Sequence, residues 1–185
     1  MIELDNTQLI LDYLNFPDKD TYYYLQVLQR EGGTKPRQRY STLITQDRQI
    51  DIEEIKYLCR LFTARAYISV IPRSLKKFTL ELSKAVIERV ATGSYVPSTL
   101  KLPSSVALSP KTIKSGSSLW MFDCDNEAST GLVLKWCKGA GVEVVLEVPS
   151  FQGCHIIVKP FNPKTCVLTS MIKKESNTMI FGCKS

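Results

Sequence analysis

Residues Leu119 to Phe161 read LWMFDCDNEASTGLVLKWCKGAGVEVVLEVPSFQGCHIIVKPF, and their pattern decides the fold. Leu119 to Cys124 is a short apolar run of strand length. Ser129 to Lys138 carries apolar residues at helical spacing, and Val142 to Val148 is again β-branched and strand-like. The helix is long enough for a crossover, whereas Pro149 to Cys154 is short enough for a hairpin turn into a further strand, His155 to Phe161.

The first strand ends in Trp120-Met121-Phe122-Asp123-Cys124-Asp125-Asn126. Alternate side chains of a strand share a face, so Asp123 and Asp125 can converge while Cys124 points to the opposite layer. Two carboxylates so placed suit a hard divalent cation. Taken alone, they equally suit the cap of the following helix or a solvated strand end. The turn Pro149-Ser150-Phe151-Gln152-Gly153-Cys154 leads into His155, the one histidine of the chain. A glycine here lets backbone approach a phosphate, and a histidine at a strand mouth can donate to it. A lone histidine also suits a satisfied core position. The hairpin places His155 on the same sheet as the acid pair, which makes the two features together more specific than either.

Outward from this stretch, Thr7 to Leu14 has near-helical spacing before Pro17. Thr21 to Gln29 and Tyr40 to Thr45 read as paired strands around the Gly32-Gly33 turn. Asp51 to Phe62 is an amphipathic helix, Ala64 to Ile71 a buried strand, and Ser74 to Val90 a strongly periodic helix expected to pack. Ala91 to Gly116 is rich in Gly, Ser, Thr and Pro and reads as a functional loop or a hinge. Thr178 to Cys183 reads as an added edge strand. The expected organisation is therefore α+β: an N-terminal α/β unit (1–91), a loop or linker (92–116), and an antiparallel module (117–185) with strand order like a ferredoxin-like or RRM-like unit. An active-site cleft is expected between the two.

Here the sequence resembles the archaeo-eukaryotic primase, or primase-polymerase, superfamily over residues 117–161. That superfamily has an aspartate pair at a strand end, a Ser/Gly turn leading to His about thirty residues on, and a later third acid. The resemblance implies metal binding by Asp123 and Asp125 and contact with the incoming nucleotide by Ser150, Gly153 and His155. It implies Mg2+ or Mn2+, nucleoside triphosphates and a single-stranded or primed nucleic-acid template. Lys159 would join the triphosphate site. Glu175 is the only acid after His155 and arrives earlier than the family has its third. The expected activity is metal-dependent nucleotidyl transfer. The alternatives are a catalytically inactive primase-like module for nucleic-acid or protein binding, and a metal-dependent nuclease or phosphoesterase.

Net charge is +6 over 185 residues, which fits an anionic partner. Lys35, Arg37 and Arg39 on the hairpin form a possible nucleic-acid track, and Arg65, set between apolar residues, can aim a part-buried guanidinium at phosphate or carboxylate. Tyr22, Tyr23 and Tyr24 could stack bases, though packing is the plainer reading. No apolar run approaches the roughly 20 residues of a membrane span, and Glu3 and Asp5 replace the basic start of an export signal. No partner at a membrane is expected. The six cysteines contain no C-x-x-C pair and read as reduced, mostly buried thiols of a cytoplasmic protein rather than zinc ligands. The P-loop pattern is absent, and a serine or cysteine triad would have only His155 as base.

Overall fold

The computed structural model describes residues 1–30, 35–94, 101–173 and 177–184. Strand β1 (Ile2–Asp5), not signalled by its short mixed sequence, leads into helix α1 (Thr7–Tyr13). β2 (Thr21–Gln29) and β3 (Arg37–Thr45) pair antiparallel as expected. The side chain of Asp51 accepts the Glu54 N–H to start α2 (Ile52–Phe62), and Thr63 at φ 47° ends it in a left-handed turn. The chain passes straight into β4 (Ala64–Ser69), then β5 (Arg73–Ser74) and α3 (Leu75–Ala91). After α4 (Leu102–Ala107) come β6 (Trp120–Cys124), α5 (Glu127–Ala140), β7 (Val144–Pro149), β8 (Cys154–Val158), β9 (Ile172–Lys173) and β10 (Asn177–Lys184).

The architecture is α+β, with two antiparallel sheets and five α-helices among the described residues. The first sheet runs β1-β10-β4-β2-β3, with β5 beside β2; the second runs β7-β8-β6-β9. β6 and β7 both lie antiparallel to β8, so α5 carries the chain across β8 between two strands of the same direction.

One face of the first sheet, with Tyr23, Leu25, Val27, Ala66 and Ile68, packs with Ile55 and Cys59 of α2 in the main core. On the second sheet Phe122, Cys124, Ile156 and Val158 pack with Val133 and Cys137 of α5. Met121, Val148 and Ile157, on the reverse of that sheet, join the main core, so the two sheets are fused through apolar contact at one end.

Three expectations change. Residues 177–184 form no edge strand: β10 lies inside the first sheet, between β1 and β4. Met179 to Cys183 is buried throughout, as a strand covered on both faces must be. The 92–116 segment is no hinge where it is described. Leu102, Val106 and Ala107 of α4 are buried, and Ala107 packs on Tyr22 and Tyr24. The buried Arg73 donates to Ser109 O at 2.7 Å and Thr112 Oγ1 at 2.8 Å, fastening the segment after α4 to β5. Last, α3 buries no residue fully, and Leu80 and Ile87 are exposed; its periodicity is real, but only its start, at Leu75 and Phe78, meets the sheet.

All three tyrosines of β2 are buried, so none of them offers a stacking surface. The six cysteines are free thiols, five of them buried. Among the described residues no helix is long and apolar enough to cross a membrane.

Candidate functional site

Beyond the apolar end where they fuse, the two sheets splay around a cavity of about 330 Å³. The size falls within the usual range of small-molecule sites. One wall is the first sheet: Gln26, Leu28 and Arg30 at alternate positions along and just past β2, Arg65 and Tyr67 of β4, and Asn177 and Met179 of β10. The facing wall is Met121, Asp123 and Asp125 of the β6 end, the turn Ser150 to Gln152, and His155. The period of two explains both walls, since each strand presents every second side chain.

The acid pair is held from behind. Asn126, two residues past β6, caps α5: its side chain accepts the Ser129 N–H at 2.8 Å while Ser129 Oγ accepts the Asn126 N–H at 3.2 Å. Asp123, on β6, and Asp125, just past its end, are therefore fixed immediately beyond by a helix cap. Cys124 points the other way, into the α5 core.

Asp123 and His155 are direct cross-strand partners. His155 Nε2 lies 3.4 Å from Asp123 Oδ1, with the imidazole side chain 11% exposed and the carboxylate side chain 42% exposed. Nδ1 lies 2.9 Å from Oγ1 of Thr178, a fully buried residue of the first sheet. A carboxylate beside Nε2 favours the proton there, so the Thr178 hydroxyl donates to Nδ1. Burial pulls the imidazole pKa below its usual value, against the opposing charges of Asp123 and Asp125. The ring is thus a neutral, oriented donor at the cavity wall.

Ser150 Oγ accepts the Gly153 N–H at 3.0 Å and the Gln152 N–H at 3.4 Å, and the Ser150 N–H donates to Gly153 O at 2.8 Å. The turn is closed on itself, and the serine hydroxyl proton is left to donate into the cavity. Gly153 is not among the residues that line the cavity, and its near neighbours are backbone atoms. A Cβ on it would overlap Cys124 O and lie 2.7 Å from Asn126 N. Its lack of a side chain lets the turn press against the backbone that carries the acids.

Arg65 meets its expectation of a part-buried guanidinium in part: it lies 4.9 Å over the Phe151 ring, across the cavity from the acids. Arg30, which lies outside any motif, sits 5.7 Å over Tyr67 in the same way. Each ring holds its arginine at the cavity through a cation–π contact. Alternation at 26-28-30 and 65-67 places Arg30 and Tyr67 at the cavity only once β2 is paired with β4, which the sequence does not signal locally.

Other expected residues fall elsewhere. Lys159 follows the far end of β8, four residues from His155 and roughly 13 Å away at strand rise, and is exposed. Lys35 and Arg37 are exposed at and before the edge strand β3, while Arg39 donates to Gln29 Oε1 at 2.7 Å and lies over Phe62. None of these lines the cavity. Glu175 lies outside the described residues, and among those described no three or more His, Cys, Asp and Glu side chains converge as metal ligands. The carboxylate pair still has hard oxygen donors suited to Mg2+ or Mn2+, ions that commonly take one or two carboxylates and complete their shell with water and substrate phosphates. A cysteine–histidine nucleophile is disfavoured: Cys154 faces the α5 side, its thiol lies 3.7 Å from the His155 backbone oxygen rather than the ring, and burial pushes its pKa up to about 11. No family model, curated protein or solved structure matches the chain.

Proposed function

We propose that the chain is a metal-dependent nucleotidyltransferase of the primase-polymerase type, taking a nucleoside triphosphate and extending a nucleic-acid 3′ end. The observation that carries this reading is the composition of one cavity. Asp123, Asp125, Ser150 and His155 line one wall, and Arg30 and Arg65 line the other. Paired acids facing paired arginines suit a ligand that is a metal–polyphosphate complex, which presents cation and anion together. The strand order β7-β8-β6-β9, with α5 crossing between β6 and β7, supports the ferredoxin-like or RRM-like reading of this half.

The side chains divide the work. Asp123 and Asp125 would hold Mg2+ or Mn2+, which supplies a charge clamp for phosphoryl transfer. Arg65 and Arg30, pre-set on Phe151 and Tyr67, meet phosphate oxygens. His155, neutral and fixed by Thr178, donates from Nε2 without carrying a charge that would compete with the metal at the carboxylates. Ser150 adds a hydroxyl proton. On sequence alone Glu175 serves as the third acid.

The test is titration of Mn2+ with and without a nucleoside triphosphate on wild type and Asp123→Asn, followed by extension of a labelled primer. Metal-linked nucleotide binding lost in Asp123→Asn, with primer extension by wild type, is the expected result. Unchanged binding in the variant removes the centre of the reading. A second reading, an inactive primase-like binding module, rests on Glu175, the only acid after His155, standing earlier in the sequence than the family has its third acid. It predicts oligonucleotide binding without extension, and cleavage of the primer would instead indicate a nuclease.

A further inference from the structure

Helix α5 packs Val133 and Cys137 on the second sheet and leaves its outer face open. Leu132, Trp136 and Gly139 stand at i, i+4 and i+7 there, and with Val167 and Leu168 of the segment after β8 they line a groove of about 550 Å³. The groove shares no lining residue with the acid–arginine cavity. Leu132 is more than half exposed, and Val167 is 84% exposed. A Cβ on Gly131 or Gly139 would meet nothing within 4 Å, so packing within the chain requires neither glycine, although each weakens the helix. On an outer helix face, glycines let another backbone come close.

The rim has one sign. Lys135 lines the groove and Lys138 stands a turn further along the same edge, both exposed. No acid occurs from Ala128 to Ala140 or from Lys159 to Lys173. The groove therefore suits a helix that carries large apolar side chains at helical spacing with acids beside them. The chain itself has such a face, on α2. Tyr57 and Leu61, at i and i+4, are each more than half exposed, and Glu53 and Glu54 are exposed a turn before Tyr57. The cations of α2 are drawn elsewhere: Lys56 lies 2.7 Å from Asp5, against 3.9 Å from Glu53, and Arg60 lies 2.8 Å from Glu3. The two helices share one rise per residue, so an antiparallel α2 sets Leu61 at Leu132, Tyr57 at Trp136, and Glu53 and Glu54 beside Lys138. We infer that α2 of one copy docks in the α5 groove of a second copy, a head-to-tail contact that leaves one helix and one groove free at the ends. One helix in one groove is a small interface, so the association is reversible and concentration-dependent.

Analytical ultracentrifugation of the full chain, from micromolar to millimolar, tests this with Leu132→Glu in the groove and Leu61→Lys on α2. Both positions are exposed, so folding is expected to be retained, and a thermal melt of each variant checks it. Wild type should grow in mass with concentration beyond the dimer, and less so at high salt, which screens the lysine–glutamate pairs. Each variant should lose association by about tenfold or more. An equal mixture of the two should form a one-to-one dimer, because the first retains an intact α2 and the second an intact groove. Variants that associate no better mixed than alone would mean a contact between identical faces, which overturns the assignment. Association kept by both variants and lost in Ile87→Glu would place the contact on the exposed side of α3 and also overturn it. So would a wild type monomeric throughout, whether its groove then takes a foreign acidic helix or an anionic vesicle.

Discussion

Asp123 and His155 face each other across β6 and β8, with Nε2 and Oδ1 3.4 Å apart, and the far side of the same imidazole is anchored to Thr178 of the other sheet. The pair is therefore a bridge between the sheets as well as a feature of the site.

The bridge predicts a pH dependence. Burial holds the His155 pKa below its usual 6.5, so the unfolded chain takes up this proton at a higher pH than the folded one. This contribution to stability is full above about pH 6.5 and is lost as pH falls from there through the folded pKa. Thermal melts of metal-free protein between pH 5 and 8 should show it, and His155→Gln should flatten that part of the curve. Thr178→Val, by stripping the Nδ1 partner, should destabilise by about 1–3 kcal/mol at pH 7.5, with Thr178→Ser recovering most of it.

Gly153→Ala forces a methyl into the Cys124 carbonyl and close to the Asn126 nitrogen, both backbone atoms that cannot rotate away. The expected cost is about 1–3 kcal/mol in chemical denaturation. Because the displaced backbone carries Asp123 and Asp125, metal-linked nucleotide binding should weaken beyond what the lost stability explains.

The acids, the serine and the histidine were legible because each lies in a strand or tight turn where the period of two dictates direction. Cys124 facing away from its neighbours was legible for the same reason. Arg30 was not, because its place depends on β2 lying beside β4, a pairing that sets Leu28 against Arg65 and no local pattern announces. Lys159 looked adjacent to His155 in sequence, but an extended strand carries residues four apart to opposite ends. The inner position of β10 was written in the unbroken apolar run Met179-Ile180-Phe181, which a strand open on one side would not have.

Arg65→Lys should lower nucleotide affinity nearly as much as Arg65→Ala, about tenfold. An ammonium cannot both lie flat on Phe151 and present a bidentate fork to phosphate. Calorimetry with Mn2+–nucleotide measures this. Equal affinity of wild type and Arg65→Lys would show that only charge matters there.

Arg73→Met removes the ties to Ser109 and Thr112 while keeping much of the volume. We expect a loss of about 1.5–3 kcal/mol, as for hydrogen bonds to a charged group, and faster proteolysis within residues 101–113. Unchanged cleavage would mean that the packing of Ala107 on Tyr22 and Tyr24 holds the segment unaided.

Burial pushes the Cys59 thiol up to about 12 and the Cys154 thiol up to about 11. In native protein at pH 8 a thiol-specific dye should label both slowly, and unfolding in guanidinium should release all six groups at once. Rapid native labelling of Cys154 would contradict its placement.

The inner position of β10 has a consequence for how the protein comes into being. Thr178 beneath the imidazole, and Asn177 and Met179 in the cavity wall, arrive only when this late segment slots between β1 and β4. Pairings so distant in the chain make folding slow, and until they form, the β4 margin is bare and open to wrong partners. Acquisition of binding competence and completion of the sheet are then a single kinetic event. During refolding, ligand response and amide protection in β4 should rise with the same time constant.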